Sequence, residues 1–317
     1  PMVDARVTFD AGAARDGEHP GIARMVSNLL MSGSERLDAD ALARAIEREG
    51  AKVSTGSERD MAWVEMRSLA DVEHLPEVAE TVAGIIAAPA FPAGEVERVR
   101  NQQLTAIEEQ AQSPGSIARD RFWSAVYGDH PYAHDPLGNP GSLEGIDRDV
   151  LRAFHERHYV AANANVAIVG DIVREDAEQL ARTLVGDLPR GEAAPDLPPV
   201  PALDEDRTVR EPFPSTQAHV LIGRPGVARD YGRWPALYVA NHVLGGGGFT
   251  SRLFSEVREE RGMVYSIYSY ASPMAARGPF LVGLQTRGDQ VEEAVSVVRE
   301  QLDRFADAGP TADEVDD

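Results

Sequence analysis

Cysteine is absent from this 317-residue sequence, which excludes disulfides and thiolate metal ligands and leaves the redox compartment open. Lysine is nearly absent, since Lys52 is the only one, and a basic complement made almost wholly of arginine suggests a GC-rich bacterial gene. Positive charge is scarce overall: 31 Lys and Arg residues stand against 52 Asp and Glu, which gives a net charge of −21. Such a chain repels phosphate backbones, so the composition argues against nucleic-acid binding. It suits a solvated acidic surface or a basic partner or substrate.

Long hydrophobic runs are also missing. No stretch of 18 or more apolar residues occurs, so no membrane span is expected. Apolar residues nevertheless make up 43% of the chain, which is enough for a sizeable core. Because the sequence begins at Pro1, we expect a processed or trimmed start, and the compartment (bacterial periplasm or cytoplasm) stays open.

Local signals place several elements in the first half of the chain. Lys52–Ser57 is predicted to be a strand. Asp38 or Asp40 is suited to cap a helix that Gly50 ends. Pro92 is predicted to begin a long helix, as prolines at the first helical position do.

Two similar series of elements follow one another along the chain. Each series reads strand, helix, helix, strand, strand, helix, and each leads to a proline-led stretch, PAGEV from Pro92 and PTADEV from Pro310. This pattern predicts a tandem duplication with a period above 200 residues. The domains expected are 1–188 and 206–317, joined by a proline-rich linker at 189–205.

The expected fold class is α+β, with two tandem homologous domains. Each should be a mostly antiparallel sheet with helices on one side. The second series stops where its long helix begins, so the second domain is expected to be incomplete.

The stretch from Gly245 to Tyr270 reads GGGGFTSRLFSEVREERGMVYSIYSY and has the sharpest local pattern. A helix is predicted over Thr250–Glu260, with its apolar residues on one face and Gly262 at its end. A strand is predicted over Val264–Tyr270. One side of that strand should carry Val264, Ser266, Tyr268 and Tyr270.

This stretch resembles a signature of the insulinase/pitrilysin metallopeptidase family (the inverzincins), which includes the mitochondrial processing peptidase and bacterial two-subunit peptidases. The resemblance is carried by the SRLF run from Ser251, then Arg258-Glu259, then Arg261-Gly262 followed by Tyr265. It implies that Arg258 and Tyr265 hold the substrate backbone beside the scissile bond. A guanidinium donates to a carbonyl in a fixed fork, and a phenol adds a directional hydrogen bond. Spacing alone favours a simpler interpretation, a helix–turn–strand corner whose arginine pairs with a glutamate.

Active members of this family carry an H-x-x-E-H helix in the first domain and a further Glu about 75 residues later. Histidines four apart share one helical face and both reach one zinc ion, while the Glu acts as base. In the matching helix here, Arg24 and Asn28 stand at the His positions and Ser27 at the Glu position. The third ligand falls near Thr105 or Ala106. The resemblance therefore implies that this chain has neither catalytic residues nor metal ligands of its own.

Two other patterns leave alternatives open. His155 and His158 lie three apart on a predicted helix and could form half of a zinc site, although a solvated polar face is the simpler interpretation. Gly245–Gly248 is not a phosphate loop, because no Lys-Ser/Thr follows it. A helix cap and turn, or a hinge or substrate loop, both fit those glycines.

The resemblance implies a function in two chains. We expect this chain to be the non-zinc subunit of a heterodimeric zinc metallopeptidase, inactive alone, with zinc in a homologous partner subunit. Its own contribution would be binding of the peptide substrate by Arg258 and Tyr265. The alternative is a non-catalytic scaffold or peptide-binding module of the same fold.

Overall fold

The computed structural model of the chain describes residues 1–71 and 74–316. Contacts divide the chain into two compact units, Pro1–Glu109 with His134–Asp196, and Gln110–Ala133 with the residues from Leu197 onward. A cut at the proline-rich linker would place Gln110–Ala133 in the first unit instead. These 24 residues group with the second unit because their helix packs on its sheet.

Strands and helices are interspersed along the chain. In chain order the strands are β1 (Met2–Phe9), β2 (Lys52–Ser57), β3 (Ala62–Leu69), β4 (Ala164–Gly170), β5 (Gln217–Pro225), β6 (Val264–Ala271) and β7 (Pro279–Arg287). The α-helices are α1 (Ile22–Leu29), α2 (Ala39–Arg48), α3 (His74–Ala87), α4 (Ala93–Ala111), α5 (Pro114–Tyr127), α6 (Pro140–Glu144), α7 (Arg148–His158), α8 (Arg174–Val185), α9 (Trp234–Asn241), α10 (Val291–Ala308) and α11 (Ala312–Asp316).

The two sheets share one strand arrangement. The first has the order β2-β3-β1-β4 and the second β5-β7-β6, so β5, β7 and β6 correspond to β1, β3 and β2. Every strand pair in both sheets is antiparallel. The expected α+β fold with two related domains is therefore confirmed.

The core of the first unit lies on one face of its sheet. Every second residue of β1, from Val3 to Phe9, is buried, because alternate side chains of a strand point to opposite faces. Helix α1 adds Met25 and Leu29 to the same core and also contacts β2. This packing places the helix that matches the zinc motif next to an edge strand of the sheet.

The second unit has helices on both faces of its sheet, whereas helices on one side were expected. Val220 and Ile222 of β5 pack against a core built from β6, β7 and α10. On the opposite face α5 lies along β5, and a Cβ atom on Gly223 would be only 2.9 Å from the ring of Phe122. Within the described ranges, no helix is long and apolar enough to cross a membrane.

Candidate functional site

A buried carboxylate outside the helix fixes the start of α1. Asp16 accepts hydrogen bonds from the backbone N–H of Gly21 (2.7 Å) and of Ala23 (3.0 Å), and its Oδ2 lies 3.0 Å from Nε2 of His134. Burial is the main influence on Asp16 and raises its pKa, while these hydrogen bonds oppose that shift. This arrangement has no local signal in the sequence, because His134 is distant in the chain.

The family resemblance places three residues at the zinc-motif positions, and they differ in their surroundings. Arg24 Nη1 donates to the backbone carbonyl of Ser57 at 3.3 Å. Ser27 is fully buried and its hydroxyl oxygen has no hydrogen-bond partner among the described residues. Asn28 is exposed. A guanidinium donor occupies the place of the first ligand, so this face of α1 does not fit a zinc ion.

The region of the expected third ligand is equally unsuited to metal binding. Thr105 Oγ1 donates to the carbonyl of Asn101 at 3.0 Å, and Ala106 has no donor group in its side chain. Gln103 is buried and donates to the carbonyls of Gly21 (3.1 Å) and Leu137 (2.7 Å). It ties α4 to the start of α1 and therefore has a structural role. No sequence pattern indicates this role. Across the part of the chain that the structure describes, no group of three or more His, Cys, Asp or Glu side chains could hold a metal ion.

The solvated polar face proposed for His155 and His158 is wrong, since both histidines are buried. His155 Nε2 lies 2.8 Å from the carbonyl of Ile86, and its ring stacks on Tyr159 with centroids 4.8 Å apart. Burial lowers the pKa of each histidine to about 4. They are core residues of α7. The half-site alternative gains no third ligand from the described residues.

The four glycines, Gly245–Gly248, lie at the end of one irregular turn of the second unit and at the start of the next. After α9 the backbone continues as a π-helical turn at His242–Gly246, where the Gly247 N–H donates to the carbonyl of His242. The predicted helix Thr250–Glu260 likewise contains a π-helical turn, at Phe254–Glu259. Its apolar face is confirmed, since Leu253, Phe254 and Val257 are buried. Gly262, with φ +60°, ends the turn as predicted.

Arg258 lies on that π-helical turn and is exposed. Its guanidinium carbon sits 4.7 Å from the centroid of the Phe254 ring, a cation–π contact. Within the described ranges no hydrogen bond or ion pair engages the Arg258 side chain. The pairing with glutamate that the simpler interpretation expects is made by Arg261 instead, at 2.7 Å from Glu256.

Tyr265 is the extra residue of a β-bulge. Val264 pairs with Thr286 and Ser266 with Gln285, so Tyr265 has no partner on β7. The predicted alternation is therefore wrong at its first residue: Val264 is buried with Ile267 and Ser269, whereas Tyr268 remains on the exposed side. The bulge shifts the pattern by one residue. It leaves Tyr265 53% exposed.

Comparison with known sequences gives two family matches that together cover nearly the whole chain. Residues 1–141 match the family described as Insulinase (Peptidase family M16), and residues 145–317 match the Peptidase M16 inactive domain. The chain belongs to peptidase family M16. The predicted resemblance to the insulinase family is thereby confirmed. The first match ends at residue 141 and the second begins at residue 145. This boundary follows the segment Gln110–Ala133 and precedes the expected domain end at 188.

Named relatives support the same assignment. This M16 chain is similar to an uncharacterized zinc protease of Streptomyces coelicolor, with 30% identity over 93% of this chain and 65% of that protein. It is 24% identical to the uncharacterized zinc protease YmxG of Bacillus subtilis, over 93% of this chain and 71% of that protein. The chain thus spans about two thirds of the length of these relatives.

Solved structures show the same fold. The chain resembles the crystal structure of a peptidase M16 inactive domain from Pseudomonas fluorescens, with a TM-score of 0.94 and 37% identity over 100% of this chain and 76% of that chain. A protease from Helicobacter pylori matches in fold alone, with a TM-score of 0.89 at 20% identity over 99% of this chain and 77% of that chain.

Proposed function

We propose that this M16 chain is the non-zinc subunit of a heterodimeric zinc metallopeptidase. In that assembly a homologous partner holds the zinc ion and its general base, and this chain binds the peptide backbone through Arg258 and Tyr265. Both residues belong to the second unit.

One observation carries the proposal. At the zinc-motif positions Arg24 is engaged with the Ser57 carbonyl, yet the side chain of Arg258 has only the Phe254 ring as a partner among the described residues. A guanidinium with uncommitted N–H groups on an exposed turn is suited to donate to peptide carbonyls. The exposed Tyr265 phenol can add a second directional hydrogen bond. These contacts support peptide binding by this chain and cleavage by a zinc-bearing partner.

The experiment reconstitutes this chain with an H-x-x-E-H member of the family from the same organism and measures kcat/KM on a fluorogenic peptide. Arg258→Ala removes charge-assisted hydrogen bonds and should lower kcat/KM about tenfold to a hundredfold, while the pair still assembles. Tyr265→Phe removes one neutral hydrogen bond and should lower it about threefold to tenfold. The matched control is Arg304→Ala, whose exposed side chain pairs with Glu300 on α10 and should leave kcat/KM unchanged.

Two results would contradict parts of the proposal. Unchanged kcat/KM in Arg258→Ala would remove the substrate role of this residue. A pair that assembles, with zinc bound to the partner, yet hydrolyses no peptide would favour the scaffold or peptide-binding module instead.

A further inference from the structure

A small cavity lies between the second sheet and α5, and neither Arg258 nor Tyr265 lines it. Its volume is about 180 Å³, and its walls come from α5, β5, β6 and β7, all within the second unit. One wall is the pair Tyr268 and Tyr270, whose rings are parallel within 4° with centroids 6.2 Å apart. The opposite wall is the side of α5 that carries Gly115, Ala118 and Arg119.

The strand register explains why the cavity is open. Across the sheet Leu221 of β5 lies opposite Gly283 of β7, which in turn lies opposite Tyr268 of β6. The end of the Tyr268 ring rests on Gly283, since a Cβ atom there would be 2.4 Å from both Cζ and the phenolic oxygen. Any larger residue at 283 would push this ring away. The tyrosine wall therefore depends on a glycine in the middle of the central strand.

The helix side of the cavity is lined by small residues. Gly115, Ala118 and Arg119 share one face of α5, because residues three and four apart lie above one another. Gly115 is close to His219, with a Cβ position 3.1 Å from Nδ1 of its ring. Short side chains at 115 and 118 leave a space that is large enough for one side chain of a ligand.

The charge of the lining is opposite to that of the whole chain. Arg119 is exposed at the cavity. Among the residues that the structure describes, its side chain donates no hydrogen bond and forms no ion pair. None of the lining residues is acidic, although the chain has a net charge of −21. The nearby Asp120 lies 3.6 Å from Arg121, on another side of α5. The cavity thus combines aromatic and leucine surfaces with one available cation.

We infer that this cavity is a subsite for a peptide segment in which a large apolar side chain stands next to a carboxylate. The apolar side chain fills the space between Tyr268 and α5, and the carboxylate accepts hydrogen bonds from Arg119. The inference rests on the proposed function and extends it to sequence preference. Tyr268 and Tyr270 lie three and five residues after Tyr265 on β6. At about 3.3 Å per residue, the subsite is therefore roughly 10–17 Å from the backbone contact, measured along an extended peptide.

The test measures binding of fluorescein-labelled dodecapeptides to the purified chain by fluorescence anisotropy. The probes have a Gly/Ser background with a central Phe-Glu, Phe-Gln, Phe-Lys or Ser-Glu pair, each with an amidated C-terminus. A further probe carries Phe at its end with a free C-terminal carboxylate. We expect Phe-Glu to bind about tenfold more tightly than Phe-Gln and Ser-Glu. Tightest binding of the free-terminus probe would instead identify a terminal carboxylate as the acceptor.

Charge reversal gives the decisive comparison. Arg119→Glu should weaken Phe-Glu binding about tenfold or more and make Phe-Lys the preferred probe. Arg121→Glu is the matched control, since Arg121 lies on the same helix and pairs with Glu211 at 3.0 Å. It should leave the preference unchanged. Ala118→Leu fills the cavity and should weaken the binding of every Phe probe while the binding of Ser-Glu is unaffected.

The outcomes separate this inference from the proposed function. Arg258→Ala should weaken every probe alike and leave the preference intact. If it has no effect while Arg119→Glu inverts the preference, the subsite stands and the role of Arg258 fails. No binding of any carboxylate-bearing Phe probe at 1 mM peptide (roughly the weakest affinity of interest), or an unchanged order of probes in Arg119→Glu, would overturn the subsite.

Discussion

Arg258 stacks on Phe254 four residues earlier, with its guanidinium carbon 4.7 Å from the ring centroid. The ring holds the guanidinium plane without occupying its N–H groups, because a cation–π contact uses the face of the group rather than its donors. A partly fixed donor loses less conformational entropy when it binds a peptide. Phe254 thus has a role in positioning as well as in the core.

Replacing the ring tests this positioning. Phe254→Leu should lower kcat/KM of the reconstituted pair about twofold to fivefold, which corresponds to a cation–π contact of about 0.5–1 kcal/mol. The control is Phe305→Leu, because the Phe305 ring lies under Arg252, another arginine of the signature, at 4.7 Å. Both variants should lower the free energy of unfolding, but only Phe254→Leu should affect kcat/KM. Equal effects on kcat/KM would mean that the loss of activity comes from reduced stability of the fold.

The sequence predicted the elements of this region better than their details. The presence of the strand and the stop at Gly262 follow from local preferences, and the structure agrees with both. The bulge at Tyr265 depends on pairing with Gln285 and Thr286 of β7, further along the chain. The π-helical turn at Phe254–Glu259 also follows from packing, since an extra residue within a helical turn leaves no composition signal.

Long-range contacts explain the other differences. Nothing in the sequence of α5 indicates that Phe122 packs beside Gly223 of β5, about 100 residues later. His155 looked solvated because its neighbours Glu156 and Arg157 are charged, yet α7 turns its ring inward onto Tyr159. The placing of the zinc motif on α1, by contrast, rests on the family spacing alone and stays a prediction.

The signature arginine Arg252 secures the last described helix. Its Nε and Nη2 each lie 2.6 Å from a carboxylate oxygen of Glu314, and the pair is mostly buried. The hydrogen bonds from Arg252 are the main cause that lowers the pKa of Glu314 to about 2 from its ordinary 4.5. Because the folded-state pKa is depressed, the pair stabilises the fold fully above about pH 4.5, and this contribution is lost as the pH falls toward 2.

Arg252→Ala should therefore lower the free energy of unfolding by about 1–3 kcal/mol at pH 7, as measured by urea denaturation. At pH 3 the difference between this variant and the wild type should be smaller. Arg304→Ala, which breaks an exposed pair with Glu300, should cost under about 0.5 kcal/mol at either pH. A difference that is as large at pH 3 as at pH 7 would show that lost packing on Phe305, rather than the ion pair, is responsible.

Restoring histidines tests whether α1 still has the geometry of the zinc helix. Arg24 and Asn28 lie four apart, so in Arg24→His/Asn28→His the two imidazoles share one face of the helix. We expect the double variant to compete for zinc with a chromophoric chelator at micromolar concentrations, whereas wild type does not. Asn28→His alone is the control and should compete far more weakly. If the double variant does not bind more zinc than the single one, α1 does not have the geometry of the zinc helix.

The central claim is that the catalytic metal belongs to another chain, and the metal content of this chain tests it most directly. The wild-type chain is purified alone, equilibrated with zinc, dialysed and analysed by mass spectrometry for metal per chain. We expect a zinc content well below one ion per chain and no hydrolysis of peptides by the chain alone. About one tightly held zinc per chain would contradict it and would direct attention to the buried histidines His155 and His158 first.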